Sequence, residues 1–337
     1  MRRLKILATA LLVSASGVRA DVPNVVVDIP PVFSLVSSVM QGVGTPKLLL
    51  RGNESPHNFA LRPSQRRDLG QADIIFWIGE GLTPWLEKAQ ASLTQTPISV
   101  ALGEQTGVVQ LSFREGAFFE NHDDHDGRGE VNGHTEHNRA ETHENAAAHD
   151  GKDHQDHAGH DHAGLDPHFW LDPENAIHWI YTIADILSQK DPENAGAYYA
   201  NATRTKASLE LLNKNIAQQL APHRAERFLI VHDAFQYFEA RFGLAAQGAI
   251  SDGHAAPPSA ARILAIRKLM QDQKISCVFA EPGYNAKLLD NLISETSVRL
   301  KQLDPLGAGL PLDHTLYEAV LQNMADTMVA CFTNNEG

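Results

Sequence analysis

DPENAGAYYANATRTKASLELLNKNIAQQL, residues 191–220, carries a long amphipathic pattern. Asp191 as N-cap, Pro192 at the first helical position and Glu193 in the first turn open a helix by satisfying free amides and complementing its dipole. Leu209, Leu212, Ile216 and Leu220 then fall on one stripe, with polar residues elsewhere. A helix from Pro192 to about Leu220 would be roughly 40 Å long, about the height of a molecule of this size. Between two lobes such a helix acts as a strut. The competing reading is an ordinary crossover helix inside one large domain. The same tetrapeptide, Asp-Pro-Glu-Asn, stands at 172–175 and predicts a second helix start.

Outward from the strut, short apolar runs rich in branched residues alternate with helical patterns, the mark of βα units around a parallel sheet. Strands are expected before it at 24–28, 47–50, 73–78, 98–101 and 108–113, and after it at 227–231, 244–249, 275–280 and 298–303. The predicted fold class is α/β: two βα lobes with parallel sheets, joined by one long rigid helix. A length of 337 residues fits two lobes at roughly 100–200 residues each. The expected boundaries are 1–20 for an export signal, 21–190 for the first lobe, 191–221 for the linking helix and 222–337 for the second lobe.

The export signal is read from MRRLKILATALLVSASGVRA. It has a basic head of Arg2, Arg3 and Lys5, an apolar core too short to span a bilayer, and a small-residue cleavage site at Val18-Arg19-Ala20. The Arg2-Arg3 pair also fits a twin-arginine route but is common in ordinary signals. No cysteine near the cleavage point offers a lipid attachment site, so a soluble periplasmic protein is expected. Its two cysteines, Cys277 and Cys331, point in that compartment to a disulfide, with a buried apolar role as the alternative.

Residues 122–162, HDDHDGRGEVNGHTEHNRAETHENAAAHDGKDHQDHAGHDH, hold ten of the 17 histidines. With no apolar periodicity and little to bury, this stretch reads as a disordered loop inserted into the first lobe at about 115–165. The formal net charge is −13, and between Glu120 and Asp166 thirteen carboxylates face only Arg128, Arg139 and Lys152. Such acidity argues against nucleic acid and towards cations.

Outside that tract, His57, His168 and His232 draw attention. In open parallel sheets, ligands bind beyond the carboxyl ends of the strands. His57 in RGNESPHNF and His232 after RFLIV both follow predicted strands, one in each lobe, while His168 in DPHFWLDP follows the acidic tract. Glu281 in VFAEPG and Asp304 in LKQLDPLG follow the last two strands. His178 and His223 fall in or at the end of predicted helices, His314 begins the last one, and His254 in SDGHAAPP lies in a loop after a strand. Three neutral imidazoles with one carboxylate or water make a common tetrahedral zinc set. HExxH, CxxC and GxSxG are all absent, which leaves catalysis weakly supported. A zinc hydrolase with Glu281 as general base and a periplasmic zinc buffer remain as alternatives.

SPHNFALRPSQ, DPHFWLDPENA, HDAFQYFEARFGL, CVFAEP and LDPLG together resemble the zinc-specific, ZnuA-type solute-binding proteins of bacterial ABC importers, within the wider zinc and manganese binding-protein family. The resemblance implies two βα lobes with the metal in the cleft between them, and a non-enzymatic monomer that captures Zn²⁺ and passes it to a membrane permease. It implies His57, His168 and His232 as ligands; His232 is the discriminating position, where manganese-binding relatives place a carboxylate. The fourth ligand is Asp304 or a water, because Pro56 stands where some members have an acidic residue. Cys277 and Cys331 match a disulfide pair of similar zinc binders. The histidine tract would then be an accessory, weaker zinc-capturing or sensing segment.

Overall fold

The computed structural model describes residues 22–51, 54–114, 119, 164–251, 259–284, 286–294 and 296–333. The expected signal, nearly all of the 115–165 tract and His254 lie outside them. Two parallel sheets are present. The first has strand order β2-β1-β3-β4, from β1 (Val25–Val27), β2 (Lys47–Leu48), β3 (Ile74–Trp77) and β4 (Ile98–Ala101). The second has order β5-β6-β7, from β5 (Phe228–Ile230), β6 (Cys277–Ala280) and β7 (Arg299–Gln302). The strands VVV, IIFW, FLI and CVFA are buried at every position, as strands covered by helices on both faces must be.

Period-2 alternation sorts these side chains between layers. Val25, Val27, Ile74 and Phe76 share one apolar core with Phe228, Ile230, Cys277 and Phe279 of the other sheet. Val26, Ile75 and Trp77 pack outward with Leu69 of α2 (Pro63–Gly70) and Leu86 of α3 (Pro84–Gln90). Leu229, Val278 and Ala280 face Ile266 and Met270 of α7 (Ala260–Asp272) and Leu289 and Leu292 of α8 (Ala286–Ile293).

The shared core is lined by α1 (Pro30–Val39), α4 (Pro173–Lys190), the 26-residue α5 (Ala195–Leu220) and α9 (Leu316–Phe332). Tyr198, Ala202, Leu209, Leu212, Ile216 and Leu220 form the buried stripe of α5, which packs on α1, α4 and α9. At 1.5 Å per residue α5 is about 39 Å long. The C-terminal helix α9 returns to pack on α1, and the Ser34 hydroxyl of α1 accepts from the Tyr317 amide at 3.0 Å. Among the described residues no helix is long and apolar enough to cross a membrane.

The two Asp-Pro-Glu-Asn copies behave differently. Asp172 caps α4 through its carboxylate, which accepts from the Glu174 amide at 2.9 Å. The Asp191 carboxylate instead accepts from Asn194 Nδ2 at 2.7 Å and the Tyr198 hydroxyl at 2.8 Å, and a 3₁₀ turn, Pro192–Asn194, precedes α5.

Two expected strands are not strands. Within 108–113 two amides go to side chains, Val109 to Asn175 Oδ1 at 2.8 Å and Leu111 to the Tyr237 hydroxyl at 2.9 Å, and among the described residues one bridge remains, Ser112 to Leu165. Over 244–249 the chain runs beside β5, with Gln247 N donating to Phe228 O at 2.9 Å and Ile230 N to Gly248 O at 3.2 Å, and among the described residues it forms the isolated Ile230–Ala249 bridge and no strand.

The disulfide Cys277–Cys331 ties β6 to α9 across 54 residues of sequence. Closing a loop of that length is worth about 4 kcal/mol in the chain-entropy model. The Cys277→Ser/Cys331→Ser variant should therefore lose up to about 4 kcal/mol of unfolding free energy, read from urea titrations at constant pH.

Candidate metal centre

Both sheets run their strands in parallel, so their carboxyl ends form two edges, and the loops beyond those edges line one cavity of about 350 Å³. His57 comes from the loop between β2 and α2. The carbonyl of its neighbour Pro56 accepts from Trp85 Nε1 at 2.7 Å, and Phe59 packs on the same indole with ring centroids 5.1 Å apart. His168 is the N-cap of a 3₁₀ turn, Phe169–Leu171, ahead of α4. His232 lies two residues past β5, after Val231, whose amide donates to Phe279 O at 2.8 Å.

These three imidazoles, distant in sequence, meet. Each offers a ligand atom, and the three atoms lie within 4.8 Å of one another. Ring centroids are separated by 5.5 Å (His57 and His168), 5.6 Å (His57 and His232) and 5.2 Å (His168 and His232). His168 and His232 are only 2% and 5% exposed.

Carboxylates hold two of the rings from behind. His168 Nδ1 lies 2.6 Å from Asp166 Oδ1, which also accepts from the His168 amide at 3.0 Å. His232 Nδ1 lies 2.6 Å from Glu281 Oε1. With Nδ1–H donated to a carboxylate, each ring keeps Nε2 as its coordinating nitrogen and gains basicity there. Burial raises the Glu281 carboxyl, but the imidazoles of His232, His168 and His57 outweigh it and hold that carboxyl below its usual range. Burial, reinforced by His232, lowers His168 to about 3, while burial raises Asp166 to about 7.

A neutral His168 needs no deprotonation to coordinate. The weakening of metal binding expected below about pH 6 for free imidazoles therefore has no contribution from this ring.

Asp304, expected as the fourth ligand with water as the alternative, lines the cavity. Its carboxylate accepts three amides of its own loop, from Leu306 and Gly307 at 2.9 Å and Ala308 at 2.6 Å, and it is not in the group of converging ligand atoms. Glu281, weighed as a general base, is engaged with His232. Of the remaining histidines, His223 packs against Phe332 with ring centroids 5.6 Å apart, and His314 Nε2 lies 3.3 Å from Gln41 Nε2. Asp166 escaped the sequence reading, although the Asp-Pro-His spacing offered a signal: a carboxylate two residues ahead of an imidazole can take both its amide and its Nδ1–H.

Two parallel βα lobes bridged by a long helix, with imidazoles from both lobes converging at the strand ends, define a two-lobed solute-binding protein. The family model described as "Zinc-uptake complex component A periplasmic", ZnuA, matches residues 25–331. A high-affinity zinc uptake system protein ZnuA of Brucella suis is 40% identical over 329 residues, covering 97% of each chain, and that of Paracoccus denitrificans is 41% identical over 327 residues with the same coverage. Among solved structures, a ZnuA crystal structure superposes with TM-score 0.68 at 23% identity, covering 91% of this chain and 99% of the other. The binding protein FpvC from P. aeruginosa, in complex with Ni²⁺, gives 0.70 at 18%, covering 94% and 99%. The chain belongs to the ZnuA family of zinc-uptake components.

Two outcomes are expected. Replacing Glu281 with Ala should weaken zinc binding by about 10–100-fold, the usual cost of losing a partner behind a ligating imidazole, measured by competition with a chromophoric chelator. In the metal-free protein the His168 ring resonances, assigned with His168→Gln, should stay those of a neutral imidazole from pH 7.5 down to about 5.

Proposed function

We propose that His57, His168 and His232 together hold one Zn²⁺ as cargo, and that the chain, exported by its 1–20 leader, acts as a periplasmic monomer that captures the ion and passes it to the permease of an ABC importer. The single observation that carries this reading is the convergence of three imidazole nitrogens, within 4.8 Å of one another, from segments 57, 168 and 232. Tetrahedral zinc with Zn–N near 2.0–2.1 Å spaces its nitrogen ligands about 3.3 Å apart, so small ring movements complete the geometry. Imidazole donors favour zinc over the oxygen-loving ions. With Asp304 held by its own loop, the fourth position falls to water. Membership of the ZnuA family and the high-affinity zinc uptake role named for the Brucella and Paracoccus relatives support the same cargo. No chemical step is required of the protein.

The 122–162 tract supplies ten further imidazoles. Its flanks are joined close to the site: Phe113 N donates to Gly164 O at 2.7 Å and Asp166 N to Leu111 O at 2.8 Å, two residues from His168. Tethering weak sites there raises the local zinc concentration at the cleft. A solved ZnuA deletion mutant has zinc bound.

Alanine at His57, His168 or His232 should abolish the tight site in zinc titrations and the protein's support of growth under zinc starvation. A pure zinc buffer would keep most of its capacity in the same variants, and that result would replace the importer reading. Deleting 122–162 should lower zinc stoichiometry while leaving one tight site.

A further inference from the structure

A centre built from two lobes needs the lobes in register to within a few tenths of an ångström, because Zn–N distances tolerate little more. The segments that carry His168 and His232 meet on one side chain. Arg114 follows the stretch whose Leu111 carbonyl accepts from the Asp166 amide at 2.8 Å, so its main chain is fixed to the approach to His168. Tyr237 reinforces that join, accepting from Leu111 N at 2.9 Å and donating to Asp166 O at 3.0 Å. From there the guanidinium reaches the second lobe. Arg114 Nε donates to both oxygens of Asp233, at 3.1 and 3.2 Å, and Nη2 donates to Asp233 Oδ1 and, at 3.0 Å, to Glu239 Oε1. Nη1 donates to Glu239 Oε2 at 2.7 Å.

Asp233 is the residue after His232. Both carboxylates are buried, with side chains 4% and 3% exposed, and the guanidinium is 17% exposed. Charge-assisted, forked hydrogen bonds in such surroundings are strong and directional, and an ammonium cannot reproduce them.

We propose that Arg114 is a positioning residue for the zinc centre: by gripping Asp233 and Glu239 from the first lobe it sets His232 against His168. The proposal rests on the reading of the three histidines as the zinc site. A second arginine clamp offers an internal comparison. Arg241 of α6 (Gln236–Phe242) donates to Asp172 Oδ1 and Oδ2, both at 2.7 Å. It also spans the lobes, but its partner Asp172 stands four residues from His168, at the far end of the 3₁₀ turn, whereas Asp233 is the immediate neighbour of His232.

The test uses the full chain loaded with one equivalent of Co²⁺, whose visible absorption reports ligand geometry, together with zinc affinity by chelator competition. Arg114→Lys keeps the charge and loses the fork. The triple variant Arg114→Met/Asp233→Asn/Glu239→Gln leaves no buried ion unpaired, so it tests position apart from charge balance. Both should show a cooperative thermal transition, at least tenfold weaker zinc binding and a shifted, weaker Co²⁺ band. Arg241→Met should leave the band in place even with a lower Tm. Wild-type affinity and spectrum in a folded Arg114 variant would overturn the proposal, as would an equal spectral change in Arg241→Met. If wild-type protein itself lacks one tight site, the zinc reading fails first. A tight site in wild type with unaltered Arg114 variants removes only the role of Arg114.

Discussion

The apolar core shared by the two sheets is the constraint from which the rest follows. Val25 and Phe76 on one side and Phe228 and Phe279 on the other belong to the same buried cluster, with the stripe of α5 and the inner face of α9 between them. Burial at about 25 cal/mol per Å² makes separating such layers costly. The strand ends of both sheets are consequently held face to face, and side chains in the loops beyond them have fixed neighbours across the gap. Three imidazoles could not otherwise be kept close without an ion to gather them.

Within that frame, orientation is set by carboxylates that hold the rings by Nδ1. Asp166 and Glu281 each take Nδ1 of a ring. Burial keeps His168 neutral, and neutrality is the state in which an imidazole coordinates. The same low dielectric that would penalise an isolated carboxylate strengthens its bond to the ring. Fold and site thus use one property, exclusion of water, for two purposes.

Much of this was legible in the sequence, and the misses share a cause. β4 runs over the expected residues, and α4 starts where Asp172 and Pro173 predict. His57 and His232 stood out because strand ends are readable from apolar runs. Residues 108–113 have a strand-like apolar character, yet the amides of Val109 and Leu111 are claimed by Asn175 and Tyr237, partners over 60 residues away that local patterns do not reveal. Arg114 was invisible for the same reason: its meaning lies in Asp233 and Glu239. Asp191 repeated the capping signal of Asp172, but the nearby Tyr198 hydroxyl took its carboxylate instead.

The C-terminal helix α9 is fastened on two sides, to β6 of its own lobe by the Cys277–Cys331 bridge and to α1 of the first lobe by packing. A clamshell swing would have to peel that helix from the opposite lobe and expose its apolar face to water, which the hydrophobic effect opposes.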